Sequence, residues 1–190
     1  GVAAWNDWRI RNPQIVPDLE GVDLGEMDAL GAIFRNVNLQ RASLTEVRNL
    51  TGAYLGGSNL SGSKLPPESL KFDGISQVDT SIRYSERTFL VLLLGCVYSW
   101  LTIAATSYAN LLTNSYSSPL PIIGTKIQIN GFYFVGPLIL LCTYGYLHVQ
   151  LQRFWERLSA LPAIFPDGQS IDKKISPWFP TGLLYHFLVH

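Results

Sequence analysis

Over the first part of the chain, large apolar residues recur at every fifth position. Leu19, Leu24, Ala29, Phe34, Leu39 and Leu44 keep this spacing, and Pro17, Val22, Met27, Ala32, Val37 and Ala42 stand two residues before them. The phase slips by one residue near Asn49–Leu50. It resumes at Leu55, Leu60, Leu65 and Leu70, with Ala53, Ser58, Ser63 and Glu68 two before, and Ile75 closes the series. An α-helix repeats at 3.6 and a strand at 2, so neither element accounts for this period. Glycines such as Gly21, Gly31, Gly57 and Gly62 further disfavour a helix. A square coil does fit, with one pentapeptide on each side and the large apolar residue turned inward. No such coil can bury its own leucines, so stacked neighbours must supply the core. The spacing therefore predicts a β-solenoid over residues 17–75. It would have about three coils and stand on the order of 14 Å tall at strand spacing. Residues 1–16 would cap it. Pro66-Pro67 would end it, and residues 76–87, polar and of mixed charge, would form a linker.

The pattern changes at Thr88. No Asp, Glu, Lys or Arg occurs from Thr88 to Thr125, nor from Ile127 to Gln152. Two apolar segments, Thr88–Thr106 and Gly131 to about Leu151, are each long enough to cross a hydrocarbon layer as a helix. Gly136-Pro137 should loosen the early turns of the second. Residues 88–152 are thus predicted to be an α-helical membrane region of two spans, joined by a connection of about 24 residues that is too long for a plain hairpin turn. Its apolar run Leu120–Gly124 is expected at the interface or dipping back into it. Residues 153–190 are read as a tail, with Pro162 ending the helix and Pro166-Asp167-Gly168 making a turn. Its last segment, residues 178–190, is apolar but too short to cross alone.

Charge sets the expected orientation. Lys71, Arg83 and Arg87 precede the first span, Arg153, Arg157, Lys173 and Lys174 follow the second, and the connection holds only Lys126. By the positive-inside rule the repeats and the tail should both be cytoplasmic, in an integral protein of a bacterial inner membrane or its equivalent. No charged-then-apolar leader precedes the repeats, and the sequence stops at His190 within an apolar run. A longer parent chain is expected. Basic and acidic residues number 14 each, which argues against a nucleic-acid partner bound through a basic field.

The triplets Val22-Asp23-Leu24, Val37-Asn38-Leu39, Ala42-Ser43-Leu44, Ser58-Asn59-Leu60 and Ser63-Lys64-Leu65, with the lead-in Trp5-Asn6-Asp7-Trp8-Arg9, resemble the pentapeptide-repeat family. The resemblance covers roughly residues 1–75 and implies a right-handed quadrilateral β-helix. The spans that follow are similar to a membrane region found after such repeats in bacterial proteins. Some family members imitate DNA, but that role needs a long acidic rod. Here seven acids stand against four bases between Asp18 and Leu70.

Candidate chemistry is sparse. There is no phosphate loop, no nucleophile elbow and no intramembrane carboxylate pair. His148, a turn from Tyr144 and Gln152, is the one weak candidate for a cofactor ligand. His186 and His190 are four apart but have no third ligand nearby in sequence. Cys96 and Cys142 lie in the charge-free stretches and are expected to pack as small apolar residues. Trp5 and Trp8 are read as a cap for the first coil, or else as a docking anchor. No catalytic residue, metal site or cofactor is assigned. The expected function is a membrane-anchored, non-enzymatic scaffold or protein-binding module, in contact with lipid and with a protein partner or a second copy. The alternatives are an accessory subunit of a respiratory or photosynthetic complex and a membrane effector or pore-former.

Overall fold

A computed structural model describes residues 1–69, 72–107 and 129–176. The chain divides into two units. One comprises Gly1–Ile82 with Arg153–His190, and the other is Arg83–Gln152. The helices are α1 (Val2–Arg11), α2 (Asp73–Ala105), α3 (Ile129–Ser159) and the short α4 (Ile171–Lys174), with 3-10 turns at Leu50–Gly52 and Pro67–Ser69.

The expectation of a three-coil β-solenoid is corrected. Among the described residues there is no β-strand, and the regular elements are all helical. The repeats form turns pinned by isolated parallel bridges: Asp18 to Asn38, Asp23 to Ser43, Asp28 to Arg48, Ile33 to Tyr54, Asn38 to Asn59 and Ser43 to Lys64. The reason lies in the length of the repeat. Each pentapeptide turns a corner, and one extended residue per repeat is left to pair. A strand needs consecutive paired residues, and here each bridge is cut off by the next turn.

The five-residue pattern does mark the interior. Ala29, Phe34, Leu39, Leu44, Leu55, Leu60 and Leu65 are buried, as are Ala32, Val37 and Ala42 two residues before the earlier ones. Serine replaces alanine at Ser58 and Ser63 without an unpaired hydroxyl. Each Oγ donates to the carbonyl three residues back, Leu55 or Leu60, at 2.7 Å. The phase slip is taken up at Asn49, which adopts a left-handed conformation ahead of the 3-10 turn. The turns need positive φ two residues after many of the central apolar positions. Gly31, Gly57 and Gly62 supply it freely, while Asn36 and Arg41 adopt it at a cost.

The chain itself covers the first end of the stack and part of the other. At the first end α1 supplies the missing backbone partners from its side chains. Asn6 donates to the Gly31 carbonyl and accepts from the Ile33 amide, both at 2.9 Å. Trp5 Nε1 donates to the Ile33 carbonyl, and Arg9 donates to the carbonyls of Ile15 and Arg35. At the other end residues 161–166 lie along residues 57–62. Gly57 donates to Leu161 at 3.0 Å, Leu60 to Ile164 at 2.9 Å and Gly62 to Pro166 at 2.9 Å, while Ala163 donates back to Ser58 at 2.9 Å. Ile164 forms a parallel bridge with Asn59. Phe165 is buried and meets Phe72 edge-on at 5.0 Å between ring centroids.

Residues 76–87, read as a linker, lie within continuous helix α2. Residues 153–176, read as part of a tail, are packed. Phe154, Leu158, Leu161 and Ile175 share a buried cluster with Val78 and Ile82, and Arg157 donates to Ser81 Oγ at 2.6 Å.

In the second unit the helical stretches of α2 and α3 pair through small and polar residues. A Cβ on Gly95 would come within 2.9 Å of a Leu140 methyl, so the helices approach closely there. Thr88 Oγ1 donates to Gln150 Oε1 at 3.2 Å, and Tyr98 meets Phe132 edge-on. Small residues at a close helix crossing suit packing in lipid. Pro137 sits inside α3 without interrupting it. Two helices are long and apolar enough to cross a membrane, and their apolar stretches are almost wholly exposed. The run Leu120–Gly124 and residues 178–190 lie outside the described residues.

Candidate interaction site

Four columns of outward residues run up the bridges of the repeat stack. Asp18, Asn38 and Asn59 form one, tied by Asn38 Nδ2 donating to Asp18 at 2.8 Å. Asp23, Ser43 and Lys64 form the second, and Asp28 and Arg48 the third. The Asn49 side chain donates to Asp28 Oδ1 at 2.9 Å and the Leu30 amide donates to the same oxygen, which holds this carboxyl below its ordinary value despite its exposure. The fourth column is different: Ile33 bridges to Tyr54, which is 60% exposed. Beside it Leu30 lies over Gly52, whose missing Cβ would fall 2.6 Å from the leucine Cδ1. One column of bridge residues is therefore apolar and the other three are polar.

At the end away from α1 the last turn borders a hollow of about 250 Å³. Its walls are Leu50, Thr51, Ala53, Leu55, Leu65 and Phe72, with Gly74 from the start of α2 and Ala160, Leu161 and Pro162 from the returning chain. Ser69 also lines it. That residue is only 7% exposed, and its hydroxyl has no hydrogen-bond partner among the described residues.

The residues singled out in the sequence do not assemble into a reaction centre. His148 is exposed on α3, its ring stacked on Tyr144 at 6.5 Å, with no second ligand beside it among the described residues. His186 and His190 lie outside the described residues. Cys96 and Cys142 are free and exposed on the apolar helices rather than packed inside. Trp5 stacks on Trp8 and against Phe34, at 5.6 and 5.9 Å, so it serves the cap. Trp8 remains 38% exposed. The contribution of residues 161–166 was missed in the sequence. A signal for it exists: Ala163-Ile164-Phe165 repeats the order of Ser58-Asn59-Leu60, a small residue, an outward residue and a large inward one. It stands alone and far from the other repeats, so periodicity could not flag it.

A model of pentapeptide repeats matches residues 18–48, in eight copies. That stretch is similar to the family, whose repeats suit a structural or protein-interaction role. No curated protein and no solved structure matches the chain.

Proposed function

We propose that this chain is a membrane-anchored, non-enzymatic protein-binding module, with the repeat body and residues 153–176 together on the cytoplasmic side. The observation that carries this reading is the buried cluster in which Val78 and Ile82, leading into the apolar hairpin, meet Phe154 and Leu158, leading out of it. Entry and exit are fixed side by side on the repeat body. That placement supports a stretch between them that crosses the bilayer twice and returns to the same face. The exposed apolar residues on those helices, among them Leu94 at 67% and Phe134 at 86%, support lipid as their surroundings, because a soluble monomer rarely leaves so much apolar surface open. Arg83, Arg87, Arg153, Arg157, Lys173 and Lys174 flank the hairpin, which supports the cytoplasmic orientation. The apolar outward faces give no aqueous lining among the described residues, so a pore-former is the weaker reading.

Two measurements test this. Alkaline carbonate washing should leave the chain in the membrane fraction. In sealed, right-side-out vesicles the repeat body should resist external protease and become digestible once the vesicles are opened. Release by carbonate would refute the anchor, and digestion in sealed vesicles would refute the orientation.

A further inference from the structure

We infer that the hollow at the end of the repeat body is a docking groove for an extended segment of a partner protein that presents one large apolar side chain. The inference rests on the protein-binding reading above and names the place and the kind of partner.

The chain demonstrates the binding mode on the adjoining side of the same turn. Residues 161–166 lie along residues 57–62, exchange main-chain hydrogen bonds with Ser58, Leu60 and Gly62, and place Phe165 over the end of the core. An added extended segment held by backbone hydrogen bonds, with alternate side chains in pockets, is a general mode of peptide recognition. Around the corner the same edge has no such cover. The Leu55 amide and the Ala53 carbonyl have no backbone hydrogen bond among the described residues. They occupy the positions, one on each side of Tyr54, that Leu60 and Ser58 occupy around Asn59. A segment running parallel to Ala53–Leu55 would accept from the Leu55 amide and donate to the Ala53 carbonyl. Its outward residue would stand over Tyr54, and the next would point inward over Leu55.

That inward position is where the hollow lies. Leu50, Leu55, Phe72 and Leu161 give it apolar walls, and about 250 Å³ accommodates one large side chain. The buried Ser69 hydroxyl supplies a polar contact for the incoming backbone. Tyr54, 60% exposed, stands between the wall residues Ala53 and Leu55 and bridges to Ile33, so the outward residue over Tyr54 meets an apolar neighbour. The partner's recognised stretch is therefore extended, uncharged at these two positions and of high β-propensity.

The test uses the full chain in lipid nanodiscs against a displayed library of random heptapeptides, with empty nanodiscs as the control. Enriched peptides should carry a large apolar residue flanked by β-branched or aromatic ones. Their affinity should fall at least tenfold in Ser69→Phe, which fills the hollow, and in Thr51→Arg, which sets a charge at its mouth. Lys64→Glu, on a polar column, should leave affinity unchanged. Bound peptide should slow amide exchange at Leu55. A thermal melt of each variant confirms that it is folded, and the two groove variants act independently of each other. Peptides that bind both groove variants as well as the parent would overturn the site and leave the protein-binding reading standing. A library that yields nothing above empty nanodiscs would overturn both.

Discussion

The two ends of the repeat body solve one problem in different ways. Each end of a stacked core leaves backbone groups and apolar side chains that the next turn would have covered. At the first end the cover comes from sequence neighbours. Helix α1 reaches the stack with side chains, above all Asn6, whose amide both donates and accepts as a peptide group would. At the other end the cover is backbone, and it arrives only after the chain has passed through both apolar helices. Residues 161–166 supply a rung to 57–62. The first end can close as soon as the repeats exist, whereas the second depends on the hairpin having formed and returned. The repeat body is thus not a module with a helical pair appended, because its own edge is finished by residues beyond the apolar helices.

The largest expected effect is at the returning cap. Phe165→Ala removes a buried ring packed edge-on against Phe72 and should destabilise the repeat body by about 3–5 kcal/mol, read as a lower melting midpoint in detergent. If the returning segment were merely laid against a self-sufficient stack, the midpoint would barely move. Gly56→Ala tests the same cap from below. Its new Cβ would fall 2.1 Å from the Ser159 carbonyl oxygen, which is backbone and cannot swing aside. The cost should be about 1–3 kcal/mol, with faster amide exchange over residues 160–166 but not in α1. Asn6→Ala is the matching change at the first end. It strands the Gly31 carbonyl and the Ile33 amide in a partly buried place, which should cost about 1–3 kcal/mol and loosen α1 while leaving residues 160–166 protected.

The asymmetry of the ends also explains what could be read in the sequence. The period of five located the interior from Ala29 to Leu65 because each side chain there is placed by its own pentapeptide and its neighbours. The two long apolar helices were legible from length and the absence of charge. Trp5 and Trp8 were read as a cap because they precede the repeats directly. The β-solenoid was not borne out, since the pattern reports which residues turn inward and says nothing of whether consecutive residues pair. Nor could the sequence place residues 161–166 or the hollow beside them. Those depend on a contact between Asn59 and Ile164, more than a hundred residues apart, and a single Ala-Ile-Phe triplet has no period. Helix through residues 76–87 was missed for a related reason. Their polar face suggested a linker, while the apolar residues that bury them against α3, Val78 and Ile82, are only two.

A smaller effect separates the left-handed turns of the middle from the ends. Arg41 holds φ at 57° where other turns use glycine. The left-handed conformation costs a side-chain-bearing residue about 1–2 kcal/mol, and glycine gives back about 0.5–1 kcal/mol through its freer unfolded chain. The difference favours Arg41→Gly, which also gives up the exposed pair with Glu20, worth little at such exposure. The net gain should be roughly 0.5 kcal/mol, a rise in melting midpoint of the stack with no change in protection at either cap.

The smallest effect is acid sensitivity, and it too can be assigned by end. Asp28 in the first turns and Asp167 in the returning cap both have carboxyls held below their ordinary value of 3.8. For Asp28 the main cause is the Asn49 side-chain hydrogen bond, and for Asp167 it is the one from Lys174 at 2.6 Å. A carboxyl with a lower pKa when folded binds fewer protons in the folded state than in the unfolded one. Its contribution is therefore whole above the unfolded value and fades as the pH falls through the folded one. Stability should be flat with respect to these two groups from neutrality down to about pH 5, and should decline below about pH 4. Asp167→Asn should remove the part of that decline seen as exchange over residues 160–176, and Asp28→Asn should leave that part in place. Lys174 also lies over the Phe165 ring, 5.1 Å from its centre, so protonating Asp167 frees the ammonium group from one of its two contacts at the cap. On this basis the returning cap should loosen in acid before α1 does.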